Sequence, residues 1–166
     1  MELCKSHEIP ALLERSRSGN GGHIWISFSQ NIEAATARRF GMTLLSLTMN
    51  KRYQIGMESY DRLFPNQDTL PKGGFGNLIA LPLQGGPRKQ GNSVFVDERF
   101  EPYTDQWGIL SKLGKMDEDL VKQFIYKHGE RGLFNNDSIT AGLDHVQDNQ
   151  TQIEEVLMEP LPFLQP

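Results

Sequence analysis

Arg15, Ser16, Arg17, Ser18, Gly19, Asn20, Gly21, Gly22 and His23 stand in one run, followed at once by the apolar Ile-Trp-Ile-Ser-Phe. These are the residue types that bind phosphate beside a strand end. Glycines reach backbone conformations closed to other residues, so such a loop can turn its amide N–H groups toward an anion. Arg15 and Arg17 add charge-assisted donors, and His23 adds another at the mouth of the loop. A second stretch, from Tyr60 and Asp61 through Lys72 to Asn77, supplies an acid and another glycine-rich turn. Together the two point to a nucleotide and metal site.

Each of these residues also has an ordinary role open to it. His23 could be a strand-end histidine satisfied by a backbone carbonyl. Asp61 could open a turn before Pro65, a place where Asp is common. Arg15 and Arg17 could be solvated charges, with Arg17 the better functional candidate because it lies nearer the glycines. Asp68 reads as a turn residue. Trp25 and Trp107 read as core, although an aromatic ring on the face of His23 leaves base stacking open. Cys4 and His7 have a C-x-x-H spacing, but a zinc site needs two further ligands and none is in register.

The elements that must position these residues follow an α/β order. Residues 23–29 alternate, with Ile24, Ile26 and Phe28 on one side and His23, Trp25 and Ser27 on the other, which predicts one strand. A helix is expected from a cap at Ser29 or Asn31 to about residue 50, with Ile32, Ala35, Phe40, Leu44, Leu45, Leu47 and Thr48 as its apolar set. Arg38 and Arg39 fall on its solvated side, and it serves as a crossover onto a sheet. A short extended piece over 60–64 is stopped by Pro65. Leu78–Leu83 reads as a buried strand and Ser93–Asp97 as another, forming a hairpin-like pair across the open turn 85–92. Residues 103–113 predict a helix with Trp107, Leu110 and Leu113 on one face. Residues 117–128 predict another, with Leu120, Val121, Phe124 and Ile125 inward and acids in the first turn. Residues 132–150 are polar and read as a loop or disordered, and 153–158 as a short helix before a proline-bearing end.

Composition bounds the class. The chain has 166 residues, 37% hydrophobic and 23% charged, enough for one soluble domain with a real core. No apolar run approaches the ~20 residues of a membrane span, and no signal peptide opens the chain. Cys4 is the only cysteine, so no internal disulfide can form and a cytoplasmic location is expected. The charge is uneven: residues 1–90 carry 11 Lys/Arg against 7 Asp/Glu, and residues 91–166 carry 6 against 14. Both informative loops lie in the basic half, where a polyanion meets a favourable field.

Three separated blocks carry a family resemblance. They are L-E-R-S-R-S-G-N-G-G-H-I-W-I, Y-D-R-L-F-P-N-Q-D-T-L-P-K-G-G-F-G-N-L-I-A-L-P-L-Q, and G-N-S-V-F-V-D with P-Y-T-D-Q-W. Segment 12–113 resembles the catalytic core of the archaeo-eukaryotic primases, nearest to the primase-polymerase domain of the bacterial TOTE conflict systems. The resemblance implies an α/β (α+β) fold with an RRM-like core, here over 1–115; residues 116–166 carry no comparable signature and read as an acidic, helical to disordered extension. In that family the site uses a D-x-D or D-x-E pair, an S-x-H and a lone aspartate after an apolar residue. Gly21-Gly22-His23 matches the second motif, which gives His23 contact with the incoming phosphates, helped by Arg17, Ser18, Gly19, Asn20, Gly21 and Gly22. Tyr60-Asp61 matches the third, making Asp61 a ligand for Mg²⁺ or Mn²⁺. Lys72 and Asn77 lie where relatives contact nucleotide or template.

The first motif has no counterpart. Glu2, Glu8 and Glu14 lack the D-x-D form, and Asp97-Glu98 and Asp117-Glu118-Asp119 come too late. Two-metal nucleotidyl transfer needs carboxylates that hold two ions ~4 Å apart. The chain is therefore expected to be an N-terminally truncated fragment or a degenerate relative, with low or no activity alone. Two function classes follow: a nucleotidyltransferase domain acting on nucleoside triphosphates and a DNA template or primer, alongside helicase or nuclease modules of the same system, or a non-catalytic nucleotide or nucleic-acid binding remnant. An unrelated RRM-type RNA binder lacks its aromatic strand motif.

Overall fold

The computed structural model describes residues 1–51, 60–70, 72–73 and 78–129. Two small sheets and two apolar clusters organise them. In the first sheet β1 (Leu12–Arg15) is the middle strand, flanked antiparallel by β2 (Gly22–Trp25) and β4 (Phe95–Val96). Register places Leu12 opposite Trp25, and Glu14 opposite both His23 and Phe95. Side chains alternate across a strand, so Leu12, Glu14, His23, Trp25 and Phe95 share one face. The common face expected for His23 and Trp25 is present.

The strand expected over 23–29 is split. After Trp25 the chain leaves the first sheet, and β3 (Ser27–Phe28) pairs in parallel with β5 (Lys115–Met116). Alternation is blind to this, because it continues through a bend that moves the chain from one sheet to another.

One apolar cluster joins α1 (Glu2–Ser6), α2 (Ala34–Lys51) and α5 (Glu118–His128) through Leu3, Cys4, Phe40, Leu44, Val121 and Phe124. Phe40 sits edge-on to Phe28 and Phe124, with centroids 6.4 and 5.2 Å apart. Two helices thus follow from their periodicity, although α2 begins three residues beyond Asn31. Asp117 caps α5, its side chain accepting from the Asp119 amide at 3.0 Å. Leu120 remains exposed. Arg38 is not solvated as expected: it donates to the Asn66 carbonyl at 3.0 Å and pairs with Asp68 at 3.1 Å, tying the 66–68 turn to α2.

The second cluster lies against the first sheet: Leu12, Leu83, Val94, Phe95 and Val96, with Trp25, Tyr103, Ile109, Leu110 and Leu113 packed on it. Two expectations fail here. Leu78–Leu83 is not a buried strand; Leu78 is 91% exposed, Leu81 is also exposed, and only Leu83 enters the core. Its amide bonds the Ser93 carbonyl at 2.7 Å, which is the whole of the expected strand pairing, and the open turn expected over 85–92 contains a short helix, α3 (Gly85–Arg88). Near the end of this cluster, α4 (Gln106–Ser111) is shorter than 103–113 and leaves Trp107 62% exposed while Leu110 packs inward. The helix starts after its Asp105 cap, and the inward position at its first turn goes to Gln106, which bonds the Phe95 backbone.

The loop expected over 132–150 and the short helix expected over 153–158 lie outside the described residues. No helix among the described residues is long and apolar enough to cross a membrane.

Cys4 offers a direct check on the first cluster. Burial pushes its thiol above the ordinary range, and only the thiolate is nucleophilic. Iodoacetamide at pH 8 should therefore label Cys4 at least about tenfold more slowly in the native protein than in urea, with the rate rising toward higher pH. Equal rates would place the thiol at the surface.

Candidate functional site

The glycine-rich run is the connection of the β1–β2 hairpin. Its neck closes through the Ser16 amide, which donates to the Gly21 carbonyl at 2.8 Å, and the Gly19 amide donates to the Ser16 carbonyl at 3.0 Å. The Gly21 and Asn20 amides are also engaged within the loop, on the hydroxyls of Ser16 at 3.1 Å and Ser18 at 3.4 Å. The loop is thus shaped by its own serines as well as its glycines.

A neighbouring turn braces it. Gly19 has φ of 83°, and a Cβ there would lie 2.9 Å from Asn92 Oδ1. The left-handed φ is what demands glycine, since the tip of the Asn92 side chain can swing away. Gly19→Ala should cost about 1–2 kcal/mol from the left-handed backbone alone, read as a lower urea midpoint with unchanged slope.

Arg15 is not a free cation. Its guanidinium donates to the Gly91 carbonyl at 2.8 Å and to the Phe100 carbonyl, and it stands 5.8 Å from the Phe100 ring centroid. It straps the hairpin to the turn that carries Arg88 and Lys89. Arg17 is exposed, as are Arg88 and Lys89. Three cations thus stand on two loops in contact with each other, and of the two loop arginines Arg17 is the one available to a ligand.

His23 lies at the C-terminal mouth of the loop with its side chain 50% exposed. Its partner is not a backbone carbonyl. The Nδ1 atom is 3.1 Å from Oε2 of Glu14, a carboxylate only 2% exposed. The same oxygen accepts from the Trp25 indole N–H at 2.6 Å, while Oε1 accepts from the Ser93 hydroxyl at 3.0 Å. Ser93 in turn receives the Gln84 amide at 3.4 Å. Trp25 is therefore core with a polar tip, its ring against the second cluster and its N–H spent on Glu14.

Reading the sequence missed Glu14 and Ser93. A signal for Glu14 was present: in L-L-E-R it occupies the inward position set by Leu12, where alternation calls for an apolar side chain.

The remaining candidates stand apart from this network. Asp61 is exposed and pairs with Arg62 Nε at 3.3 Å. Lys72 is exposed, on the turn before Gly73. Asn77 lies outside the described residues. Neither Asp61 nor Lys72 is joined to His23 by a hydrogen bond or ion pair among the described residues. His7 packs edge-on against Phe124 and His128 at 5.3 and 4.9 Å, in an aromatic cluster.

Divalent-metal chemistry would need converging donors. Among the described residues no three His, Cys, Asp or Glu side chains gather to hold an ion. The described donor set does not fit a two-ion centre.

In comparison with known families, the model described as TOTE conflict system, Archaeo-Eukaryotic Primase domain, matches residues 1–124. No curated protein matches the chain.

Proposed function

Because the chain belongs to the archaeo-eukaryotic primase family of the TOTE conflict systems, we propose that its hairpin loop binds the triphosphate of a nucleotide. Domains of this type act on nucleotides and nucleic acid and use divalent metal ions. One observation carries the reading: a half-exposed imidazole, fixed from behind by a buried carboxylate, stands beside a glycine-rich loop bearing the exposed Arg17. A phosphate at the loop mouth would take a hydrogen bond from the ring and charge-assisted bonds from the guanidinium. Arg88 and Lys89, on the turn strapped to the loop by Arg15, extend the basic surface toward a template or primer backbone.

Nucleotidyl transfer has the hydroxyl of a primer or initiating nucleotide attack the α-phosphate, displacing pyrophosphate. His23 and Arg17 position the triphosphate for that attack. Asp61 is the proposed ligand of Mg²⁺ or Mn²⁺, with Lys72 and Asn77 on the nucleotide or template side. Two ions need paired carboxylates, and the acidic pair of the family's first motif has no counterpart in the sequence, so weak or no turnover is the expectation for this chain. The same observation favours the second reading, a non-catalytic nucleotide or nucleic-acid binding domain.

A titration with a fluorescent nucleoside triphosphate in Mg²⁺ and in Mn²⁺, followed by primer extension on a DNA template, tests both. Saturable binding with little or no extension is the expected result. Robust extension would overturn the low-turnover reading, and failure to bind triphosphate in either metal would end the proposal.

A further inference from the structure

We propose that Glu14 is the positioning residue of His23, fixing the proton of the facing ring nitrogen so that Nε2 becomes the atom offered to ligand. This rests on the reading of His23 as a phosphate contact. Glu14 occupies the middle strand of its sheet; its Oε1 accepts from the Ser93 hydroxyl and its Oε2 from the Trp25 indole, and His23 Nδ1 stands 3.1 Å from the same Oε2. An indole N–H can only donate, and an ionised carboxylate can only accept. With one directed donor already on each oxygen, Trp25 and Ser93 suit the acceptor-only, ionised carboxylate, and the ring nitrogen facing it is then the one that bears the proton.

A consequence follows for the exposed edge of the ring. With Nδ1–H given to Glu14, Nε2 is bare in the neutral ring and carries a proton only in the imidazolium. The form that donates to a phosphate is therefore a cation, and Glu14 balances its charge from behind. A carboxylate placed inward for packing alone would be a costly choice, since burying a charge is unfavourable without a matched partner. Among the described residues the one ion-pair partner of Glu14 is His23. Trp25 and Ser93 hold the carboxylate oxygens in place, so the ring is oriented before any ligand arrives.

Two measurements test this. In protein carrying ¹⁵N-labelled histidine, the His23 ring, assigned by its loss in His23→Ala, should show the Nδ1–H tautomer at a pH where it is neutral. The Nε2–H tautomer would overturn the proposal, and this spectrum needs no variant at position 14. The second is a double-mutant cycle on affinity for a fluorescent adenosine triphosphate analogue with Mg²⁺. Glu14→Gln keeps an acceptor oxygen but removes the charge; it should weaken binding about tenfold in the native background and less than about twofold when His23 is already alanine. Equal losses in both backgrounds, or no loss in the first, would show that Glu14 does not act through the ring. If His23→Ala leaves affinity unchanged, the phosphate reading of His23 fails, and the role of Glu14 is then decided by the spectrum alone.

Discussion

Phe95→Ala is expected to lower the unfolding free energy by about 3–5 kcal/mol, the cost of removing a large buried aromatic side chain and leaving a cavity. Phe95 is fully buried, at 0% exposure, in the cluster with Leu12, Leu83, Val94 and Val96. Its surroundings cannot easily collapse. Gln106 clamps its backbone on both sides, accepting from its amide at 2.7 Å and donating to its carbonyl at 2.9 Å. The Tyr103 amide adds a second bond to that carbonyl at 3.1 Å. A clamped strand holds the cavity open, which places the cost toward the upper end of the range. Urea denaturation followed by Trp fluorescence would report it as a lower midpoint with unchanged slope. Because Phe95 is the register partner of Glu14, Phe95→Ala should also weaken triphosphate binding in the folded fraction. A loss below about 1 kcal/mol would mean that the cluster repacks, and that the sheet is not held by this ring.

His23→Ala should weaken triphosphate binding by about ten- to a hundredfold, as expected for losing a hydrogen bond to a charged group. Stability should fall as well, because Glu14 loses its ion-pair partner among the described residues, but only modestly. The ring is half exposed, and Glu14 keeps its bonds from Trp25 and Ser93 when the imidazole is gone. Titration with the same fluorescent triphosphate, beside a thermal melt, separates the two effects. Full affinity in a well-folded His23→Ala protein would remove the imidazole from the site. Lost affinity with an equal loss of stability would assign it a structural role instead.

How much was legible in the sequence can be argued residue by residue. The shared face of His23 and Trp25 was readable because strand alternation is local and β2 obeys it. The helix expected over 117–128 was readable for a similar reason: its acids and the spacing of Val121 and Phe124 all lie within a few turns, although Asp117 turned out to be its cap and not its first residue. Leu78–Leu83 misled because a short apolar run carries no information about whether anything covers it. Trp107 misled because spacing gives a face but not which face is inward; Gln106 took that place through two bonds to a strand eleven residues away.

By itself the sequence determined the residue types at the candidate site, the loop between them and the family, since these depend on what stands next to what along the chain. Only the tertiary structure decided that Arg15 is a strap, that Arg17 is left exposed, and that Glu14 is the partner of His23. Those outcomes depend on strand register and on contacts such as Ser93 with Glu14, 79 positions apart. No local pattern specifies which side chains meet across that distance. Pairing of β1 with both β2 and β4 brings a carboxylate, an indole, a hydroxyl and an imidazole together, and once buried each polar group must find a partner there.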